Sequence, residues 1–161
     1  MKDQYMPVNI RKADQQDIPG ILALWEDFME LLRDMNPHYW VVKNGRAAFS
    51  RYLERMIGEA GVLVAAAEMG GTGLLGFTLA QVETLPEWFG SEQIGLIRYL
   101  AVSDTYRGKD IGQEMAAFTI DWFRSKGISR IELYVLKDLP ASDFWSKVGF
   151  KVFMDRRYME I

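Results

Sequence analysis

The chain has 161 residues, is 49% hydrophobic and carries a formal net charge of -3, with a pI near 5.3. This length and apolar content predict one domain, residues 1–161, with a sizeable core. The acidic balance argues against nucleic acid or a membrane as partner and favours cationic substrates such as amines. The lack of cysteine excludes disulfides and thiolate sites, and the single histidine, His38, excludes a clustered histidine metal site, so we expect no metal.

No targeting or membrane segment is evident in the sequence. Residues 1–7 lack the apolar core of a signal peptide, and no stretch approaches the ~20 apolar residues of a membrane span. We therefore expect a cytoplasmic protein.

The first part of the chain predicts a strand and two helices. Residues 8–12 alternate as a short strand, and the polar turn that follows contains Asp14 and Asp17, either of which can cap the next helix. From Ile18 to Leu32 apolar residues recur at steps of three and four, which indicates an amphipathic helix. A second helix is predicted over 47–57.

A glycine-rich hairpin and an aromatic loop follow. Residues 62–68 and 74–83 are predicted strands joined by 69–73, so this part of the sheet is expected to be antiparallel. The loop after them contains Trp88 and Phe89, whose apolar surface suggests a substrate-side lid or a subunit contact.

The central part reads as strand, glycine-bearing turn and helix. An apolar strand ends at residue 102, and a helical pattern begins at Ile111. The first N–H groups of such a helix, with the positive end of its dipole, form an anion site, and the basic turn 107–112 suits a phosphate. Neither a P-loop nor a dinucleotide fingerprint fits this turn, and a solvated basic turn is the simpler alternative.

The remaining elements are a strand over 128–135, a short helix over 141–150 and closing strands at 151–155 and 158–161. With these elements the chain resembles the GNAT superfamily of N-acetyltransferases. The resemblance lies in R-G-K-D-I-G at 107–112, which matches the family's Arg/Gln-x-x-Gly-x-Gly/Ala turn, and in the 141–150 helix, which matches A-x-x-F-Y-x-K-x-G-F. It implies an α/β (α+β) fold with a mixed, mostly antiparallel twisted sheet flanked by helices and a splayed central strand pair.

The resemblance also implies a set of residues that contact acetyl-CoA. They are the strand residues Leu100, Ala101 and Val102, the turn residues Arg107, Gly108, Lys109, Asp110, Ile111 and Gly112, and Asp138 and Trp145 beyond them. Two positions depart from the family. Asp110 replaces the first motif glycine and brings a carboxylate to the expected diphosphate, and Trp145 replaces a tyrosine that often protonates the CoA thiolate.

The resemblance implies direct attack of an amine on the thioester, with the oxyanion held by backbone N–H groups. Glu83 is our candidate base, with Glu92 as an alternative, and Tyr134 is the candidate acid. Each is a solvated or core residue on the simpler interpretation, as is His38.

The leading hypothesis is thus an acetyl-CoA-dependent N-acetyltransferase acting on a small-molecule, peptide or protein amine. The alternatives are a CoA-binding or ligand-sensing module with little transferase activity, motivated by Asp110 and Trp145, and a purely structural domain. Aromatic residues suited to an acceptor wall are Tyr39, Trp40, Trp88 and Phe89. Large apolar residues in loops and near the C-terminus, together with an edge strand near the C-terminus, also predict a two-fold homodimer: Trp88, Phe89, Phe153, Met154, Tyr158 and Met159. The alternative is a monomer in which these aromatics roof the acceptor pocket.

Overall fold

The computed structural model describes residues 7–137 and 139–161. Its strands are β1 (Asn9–Lys12), β2 (Val62–Glu68), β3 (Leu74–Thr84), β4 (Gln93–Val102) and β5 (Ile131–Leu133). Its helices are α1 (Ile18–Met35), α2 (Gly45–Met56), α3 (Ile111–Ser125) and α4 (Pro140–Val148). Within the part of the chain described, no helix combines the length and the apolar character that a membrane crossing requires.

The strands form one sheet in the order β1-β2-β3-β4-β5. The first three pairings are antiparallel, and β5 pairs in parallel with β4. Only Gly95, Leu96 and Ile97 of β4 have partners on β5, so the two strands diverge beyond this point. The expected mixed, mostly antiparallel sheet with a splayed central pair is confirmed.

Helices α1 and α2 cover one face of the sheet. The apolar stripe of α1 is buried as its periodicity predicts, and its Trp25 ring stacks on Phe49 of α2 with centroids 4.4 Å apart. Phe77 and Leu79 of β3 lie beneath them in the same cluster. This packing fixes α1 across the middle of the sheet.

An ionic cluster anchors the start of α1. Asp14 caps the short turn before the helix by accepting the Gln16 N–H at 2.7 Å, whereas the Asp17 carboxylate accepts the Asp14 N–H at 2.8 Å and turns to Arg11. Arg11 donates to Asp17 at 2.7 and 2.9 Å and also to Glu68. These hydrogen bonds from Arg11 lower the pKa of Asp17 and that of Glu68, and they raise the pKa of Arg11 itself.

Helices α3 and α4 cover the other face. Two glycines on the strands allow α3 to approach the sheet closely. A Cβ added at Gly95 would lie 2.7–2.8 Å from the Phe123 ring, and one at Gly76 would lie 2.8 Å from the Met115 sulfur and the Ala101 carbonyl oxygen. Glycine at these positions therefore reflects packing.

The C-terminal part differs from expectation. The strand predicted over 128–135 is shorter, because only Ile131–Leu133 pairs with β4. The predicted closing strands at 151–155 and 158–161 are wrong, since residues 149–161 form no helix or strand. Val152, Phe153 and Met154 are consecutive apolar residues without alternation, and a hairpin of two such short strands is marginally stable.

Candidate active site

The candidate site begins where β4 and β5 separate. Ile97 and Leu133 are the last paired residues, and among the described residues 98–102 have only β3 as a strand neighbour. The β4–β5 pairing thus ends at Ile97, and a wedge opens between the two strands beyond it. We call this wedge the β4–β5 gap.

Backbone groups of β4 line the β4–β5 gap. The Ser103 N–H donates to the Leu75 carbonyl oxygen at 2.8 Å, and in an antiparallel pair every second residue points the same way. Ala101 therefore directs its N–H and C=O to β3, whereas Leu100 and Val102 direct theirs into the gap. An extended ligand can hydrogen-bond there as an added strand would.

The turn into α3 presents further donors. Gly108 and Asp110 adopt left-handed conformations, with φ of 76° and 62°, and α3 begins at Ile111. Among the described residues, none of the backbone N–H groups of 108–113 has a hydrogen-bond acceptor. The first turn of α3 is therefore available to an anion, as the sequence predicts.

The charged side chains of this turn contact one another. Arg107 pairs with Asp104 at 2.6 Å, and the Lys109 ammonium lies 4.9 Å from the centroid of the Tyr106 ring. Asp110 is exposed, and its side chain makes no capping hydrogen bond. The turn thus carries two cations and one carboxylate free of helix-capping contacts.

Helix α4 flanks the same turn. A Cβ at Gly112 would lie 3.4 Å from the Phe144 ring and 3.8 Å from Val102. Trp145 is only 9% exposed and packs edge-on against Phe144 and Phe150, with centroids 4.9 and 5.2 Å away. This side of the site is an apolar wall, and Trp145 belongs to the core behind it.

The two candidate bases lie in different surroundings. Glu83 Oε1 accepts hydrogen bonds from Gln81 Nε2 and Arg98 Nη2, both at 2.8 Å, so its carboxylate is fixed on β3. Glu92 precedes β4 and pairs with Arg130 at 3.3 Å, before β5 begins. Glu92 is thus at the opposite end of β4 from the α3 turn, whereas Arg98 links Glu83 to the divergence point.

Tyr134, the candidate acid, directly follows the last paired residue of β5 and is 73% exposed. Its neighbours Leu133 and Val135 pack in the cluster under α3 and α4, and alternation directs the Tyr134 side chain to the opposite face. Tyr134 therefore stands at the rim of the β4–β5 gap, beyond the strand in which the sequence placed it. Asp138 lies outside the described residues.

Sequence reasoning missed Arg98. The β3–β4 register shifts by one residue, because Leu79 pairs with Tyr99 and Ala80 with Ile97, which leaves Arg98 as an extra residue on β4. A bulge depends on the partner strand and has no signal in a single sequence. The one available clue was a charged residue inside an otherwise apolar strand.

The aromatic residues predicted for the acceptor wall are all exposed, and they lie in two loops: Tyr39, Trp40, Trp88 and Phe89. His38 is an exposed loop residue whose ring lies 4.5 Å from that of Tyr158, with Glu160 at 3.4 Å. The C-terminal segment, residues 151–161, thus reaches the connection between α1 and α2.

Two surface cavities lie elsewhere. One, of about 400 Å³, is bordered by Trp122 and Lys126, and the other, of about 410 Å³, by Arg124 and Ile128. Both cavities are at the C-terminal end of α3, whereas the turn with the available N–H groups is at the N-terminal end of this helix. The β4–β5 gap and the turn into α3, which together we call the groove, lie away from both cavities.

Comparisons with solved structures agree with this fold. A mutant of the BH1408 protein of Bacillus halodurans superposes with a TM-score of 0.81 at 17% identity, covering 95% of this chain and 99% of that one. A predicted acetyltransferase of Clostridium acetobutylicum, solved with acetyl-CoA, gives a TM-score of 0.77 at 17% identity and 96% coverage of both chains. Glucosamine-6-phosphate N-acetyltransferase of Arabidopsis thaliana gives 0.71 at 18% identity, covering 96% and 99%.

A search of curated protein sequences returned no match. The family model described as "Acetyltransferase (GNAT) family" matches residues 25–150, a span that includes the β4–β5 gap, the turn into α3 and α4. The chain therefore belongs to the GNAT acetyltransferase family.

Proposed function

We propose that the protein transfers the acetyl group of acetyl-CoA to a primary amine of a small molecule, a peptide or a protein, with residues 1–161 acting as one domain. One observation carries the proposal: the β4–β5 gap opens beside a helix start whose N–H groups have no acceptor among the described residues. Family membership supports acetyl transfer in general. A cytoplasmic location stays a prediction from the sequence.

Each part of acetyl-CoA has a matching part of the groove. The N–H groups of 108–113 suit the pyrophosphate, with Arg107 and Lys109 supplying positive charge. The backbone groups of Leu100 and Val102 suit the amides of the pantetheine arm. An acyl group at the end of that arm reaches the point where β4 and β5 separate.

The reaction then needs two proton movements. The amine nitrogen attacks the thioester carbonyl carbon, a C–N bond forms and the C–S bond breaks. The nitrogen loses a proton to Glu83, directly or through water, and the leaving sulfur gains one from Tyr134. A backbone N–H of β4 that faces the gap stabilises the oxyanion.

A second candidate is a CoA-binding or ligand-sensing module. The burial of Trp145 favours it, because α4 then contributes no proton donor to the sulfur. The carboxylate of Asp110 beside the anion site weakens retention of the diphosphate in either case. Thiol release with a panel of amines distinguishes the two, since a sensor binds acetyl-CoA without releasing CoA.

A pair of glycine variants tests the binding groove. Gly108 and Gly58 both have positive φ, 76° and 88°, and both have open space where a Cβ would be. Gly108→Val strains the binding turn and should weaken acetyl-CoA binding in calorimetry by about tenfold. Gly58→Val imposes the same strain between α2 and β2 and should bind as the wild type does. An equal loss of acetyl-CoA affinity in both variants would reject the groove as the binding site. A wild type that binds no acetyl-CoA at millimolar concentration would reject it as well.

We also propose that the protein forms a two-fold dimer through its C-terminal segment, residues 151–161. All of these residues are exposed, and the large apolar ones are at least 69% exposed: Val152, Phe153, Met154, Tyr158, Met159 and Ile161. The same chain offers β5 as an edge strand. In a two-fold dimer, the C-terminal segment of each copy can cover the β5 edge of the other copy.

A further inference from the structure

Two irregularities of the sheet coincide at Arg98. It is the extra residue in the pairing of β4 with β3, and it directly follows Ile97, the last residue of β4 that pairs with β5. A bulge releases a side chain from the regular alternation and re-aims it, which is why bulges occur beside active sites. Arg98 therefore stands at the vertex of the β4–β5 gap, where the proposed acetyl group ends.

Arg98 belongs to a chain of hydrogen bonds on the face covered by α2. Its Nη2 donates to Glu83 Oε1 at 2.8 Å, and Gln81 Nε2 donates to that same oxygen at 2.8 Å. The Tyr52 hydroxyl in turn donates to Gln81 Oε1 at 3.4 Å. The chain runs from α2 across β3 to β4 and holds both charged groups in place.

Each member of the pair retains atoms for a ligand. Both hydrogen bonds of Glu83 fall on Oε1, so among the described residues its Oε2 has no donor. Likewise, Arg98 uses only Nη2, and no described residue accepts from its Nε or Nη1. The two side chains are 35% and 40% exposed, so both can be reached from solvent.

We infer that the Glu83–Arg98 pair selects an acceptor in which the amine lies a few bonds from an acidic group, a carboxylate or a phosphate. This inference rests on the proposed acetyl transfer. The ammonium of the incoming acceptor binds Glu83 Oε2, and the acid binds the available donors of Arg98. The ammonium then passes one proton through Glu83 to solvent, which leaves the neutral amine that attacks the thioester. The ligand thereby presents to each member of the pair the charge opposite to its own.

Charge balance separates this class from simple amines. An acceptor amine that carries no acidic group brings a second positive charge to within a few ångströms of the Arg98 guanidinium. The repulsion between the two charges disfavours binding of such an acceptor. An acidic amine adds no net charge to the pair. The overall charge of -3 attracts cations at long range, but salt screens that attraction, whereas the contact with Arg98 is local.

Matched acceptors test the inference. Acetylation is measured for amino acids against their carboxamides, and for amino-sugar phosphates against the same amino sugars. The wild type should prefer the acidic member of at least one set by about tenfold or more in kcat/KM, the size expected of a charge-assisted contact. The two sets distinguish a carboxylate from a phosphate.

Variants identify the residue responsible. Arg98→Gln should raise KM for the acidic acceptor by about tenfold while changing the neutral one by less than about twofold. Arg98→Lys should restore part of the preference, because it keeps the charge but not the fork of donors. Arg130→Gln, at an exposed arginine paired with Glu92 and Glu132 before β5, is the matched control and should leave the ratio unchanged. All variants are first shown to bind acetyl-CoA as the wild type does.

Equal rates for the acidic and neutral members of both sets would overturn the inference while the transferase function stands. An equal fall for both members in Arg98→Gln would also overturn it, since that result identifies Arg98 as structural. If acetyl-CoA binds but no acceptor reacts, the affinities of the acidic and neutral acceptors for the CoA-loaded protein are compared instead. Equal or undetectable affinities then reject the inference. Lack of acetyl-CoA binding and of thiol release rejects the proposed function and this inference together.

Discussion

Asp110 is the residue at which backbone and charge act together. It occupies the left-handed region at φ 62°, where glycine is favoured, and its side chain makes no capping hydrogen bond. Asp110→Gly should therefore stabilise the protein by about 1 kcal/mol in thermal unfolding. It should also tighten acetyl-CoA binding by roughly three- to fivefold, as expected when one exposed like charge is removed.

The variant Asp110→Asn separates the two effects, because asparagine tolerates the left-handed region but carries no charge. It should show the gain in affinity without most of the gain in stability. If Asn and Asp bind acetyl-CoA equally, charge repulsion at this position is refuted. Lower stability of the glycine variant would instead indicate that Asp110 supports the helix start.

Tyr134 allows a test of the chemical step. Its position at the rim of the gap predicts that Tyr134→Phe lowers kcat by about a hundredfold, the usual contribution of a general acid, without changing acetyl-CoA affinity. Tyr158→Phe, at a tyrosine of equal 73% exposure in the C-terminal segment, is the control. Steady-state thiol release measures both, and an unchanged kcat in Tyr134→Phe would remove it from the mechanism.

Among the elements, α3 packs closely against Gly95 of β4. A methyl group at Gly95 would lie within 2.8 Å of the Phe123 ring, which is fully buried and has no room to move. Gly95→Ala should cost about 2 kcal/mol of the free energy of unfolding, measured in denaturant. At Gly112 the added methyl meets nothing nearer than 3.4 Å and alanine favours the helix, so Gly112→Ala should cost nothing. Similar losses in both variants would contradict this account of the packing.

The ionic cluster at the start of α1 predicts a pH dependence. Because hydrogen bonds from Arg11 lower the pKa of Asp17 in the folded state, the unfolded state binds protons first as the pH falls. The stabilisation is complete above the unfolded pKa, about pH 4, and is lost as the pH falls through the lower folded value. The pKa of Glu68 is also lowered by Arg11, so its contribution to stability is lost in the same direction as the pH falls.

Arg11→Gln should thus destabilise the protein by about 2 kcal/mol at pH 7 and flatten the loss of stability below about pH 4. Arg33→Gln breaks an exposed pair on α1, with Glu30 at 3.2 Å, and should change stability by under about 0.5 kcal/mol. Denaturant titrations from pH 7 to pH 3 measure both. A wild type and an Arg11→Gln variant with parallel pH profiles would contradict the assignment.

The elements that the sequence predicted well are those with local signals. The stripe from Ile18 to Leu32 with a capped turn defines α1, and the glycine-rich connection at 69–73 defines the β2–β3 hairpin. By contrast, the length of β5 and the bulge at Arg98 depend on partner strands, which single-sequence periodicity does not report. The turn of the candidate site was predicted from residues 107–112, whereas the Glu83–Arg98 pair required the register of the sheet.

The same distinction explains the C-terminal segment. Its apolar residues predicted strands because residues of this kind are common in sheets, but the segment has no strand partner among the residues that the structure describes. Strand pairing depends on the surroundings of a segment, and among the described residues this segment contacts His38 through Tyr158 and Glu160 rather than a strand. A second copy is the simplest source of the missing partner.

At the scale of the whole molecule, the dimer is the prediction that follows from this segment. Light scattering at micromolar concentration should give about twice the 18.5 kDa of one chain, falling on dilution. The double variant Phe153→Lys with Met159→Lys adds two charges to the segment and should shift the mass to one chain. Trp88→Lys changes an equally exposed apolar residue of the aromatic loop and should leave the dimer intact, whereas a monomeric Trp88→Lys variant would place the subunit contact in that loop instead.

A mass of 18.5 kDa at every concentration would rule out the dimer and favour the monomer in which the C-terminal segment roofs the acceptor side. The contact between Tyr158 and His38 already directs the segment to the α1–α2 connection. In that case the double variant should leave the mass unchanged and alter KM for the acceptor, because the roof itself is modified. The two outcomes are exclusive: the dimer predicts a change in mass, and the monomeric roof predicts a change in acceptor KM at constant mass.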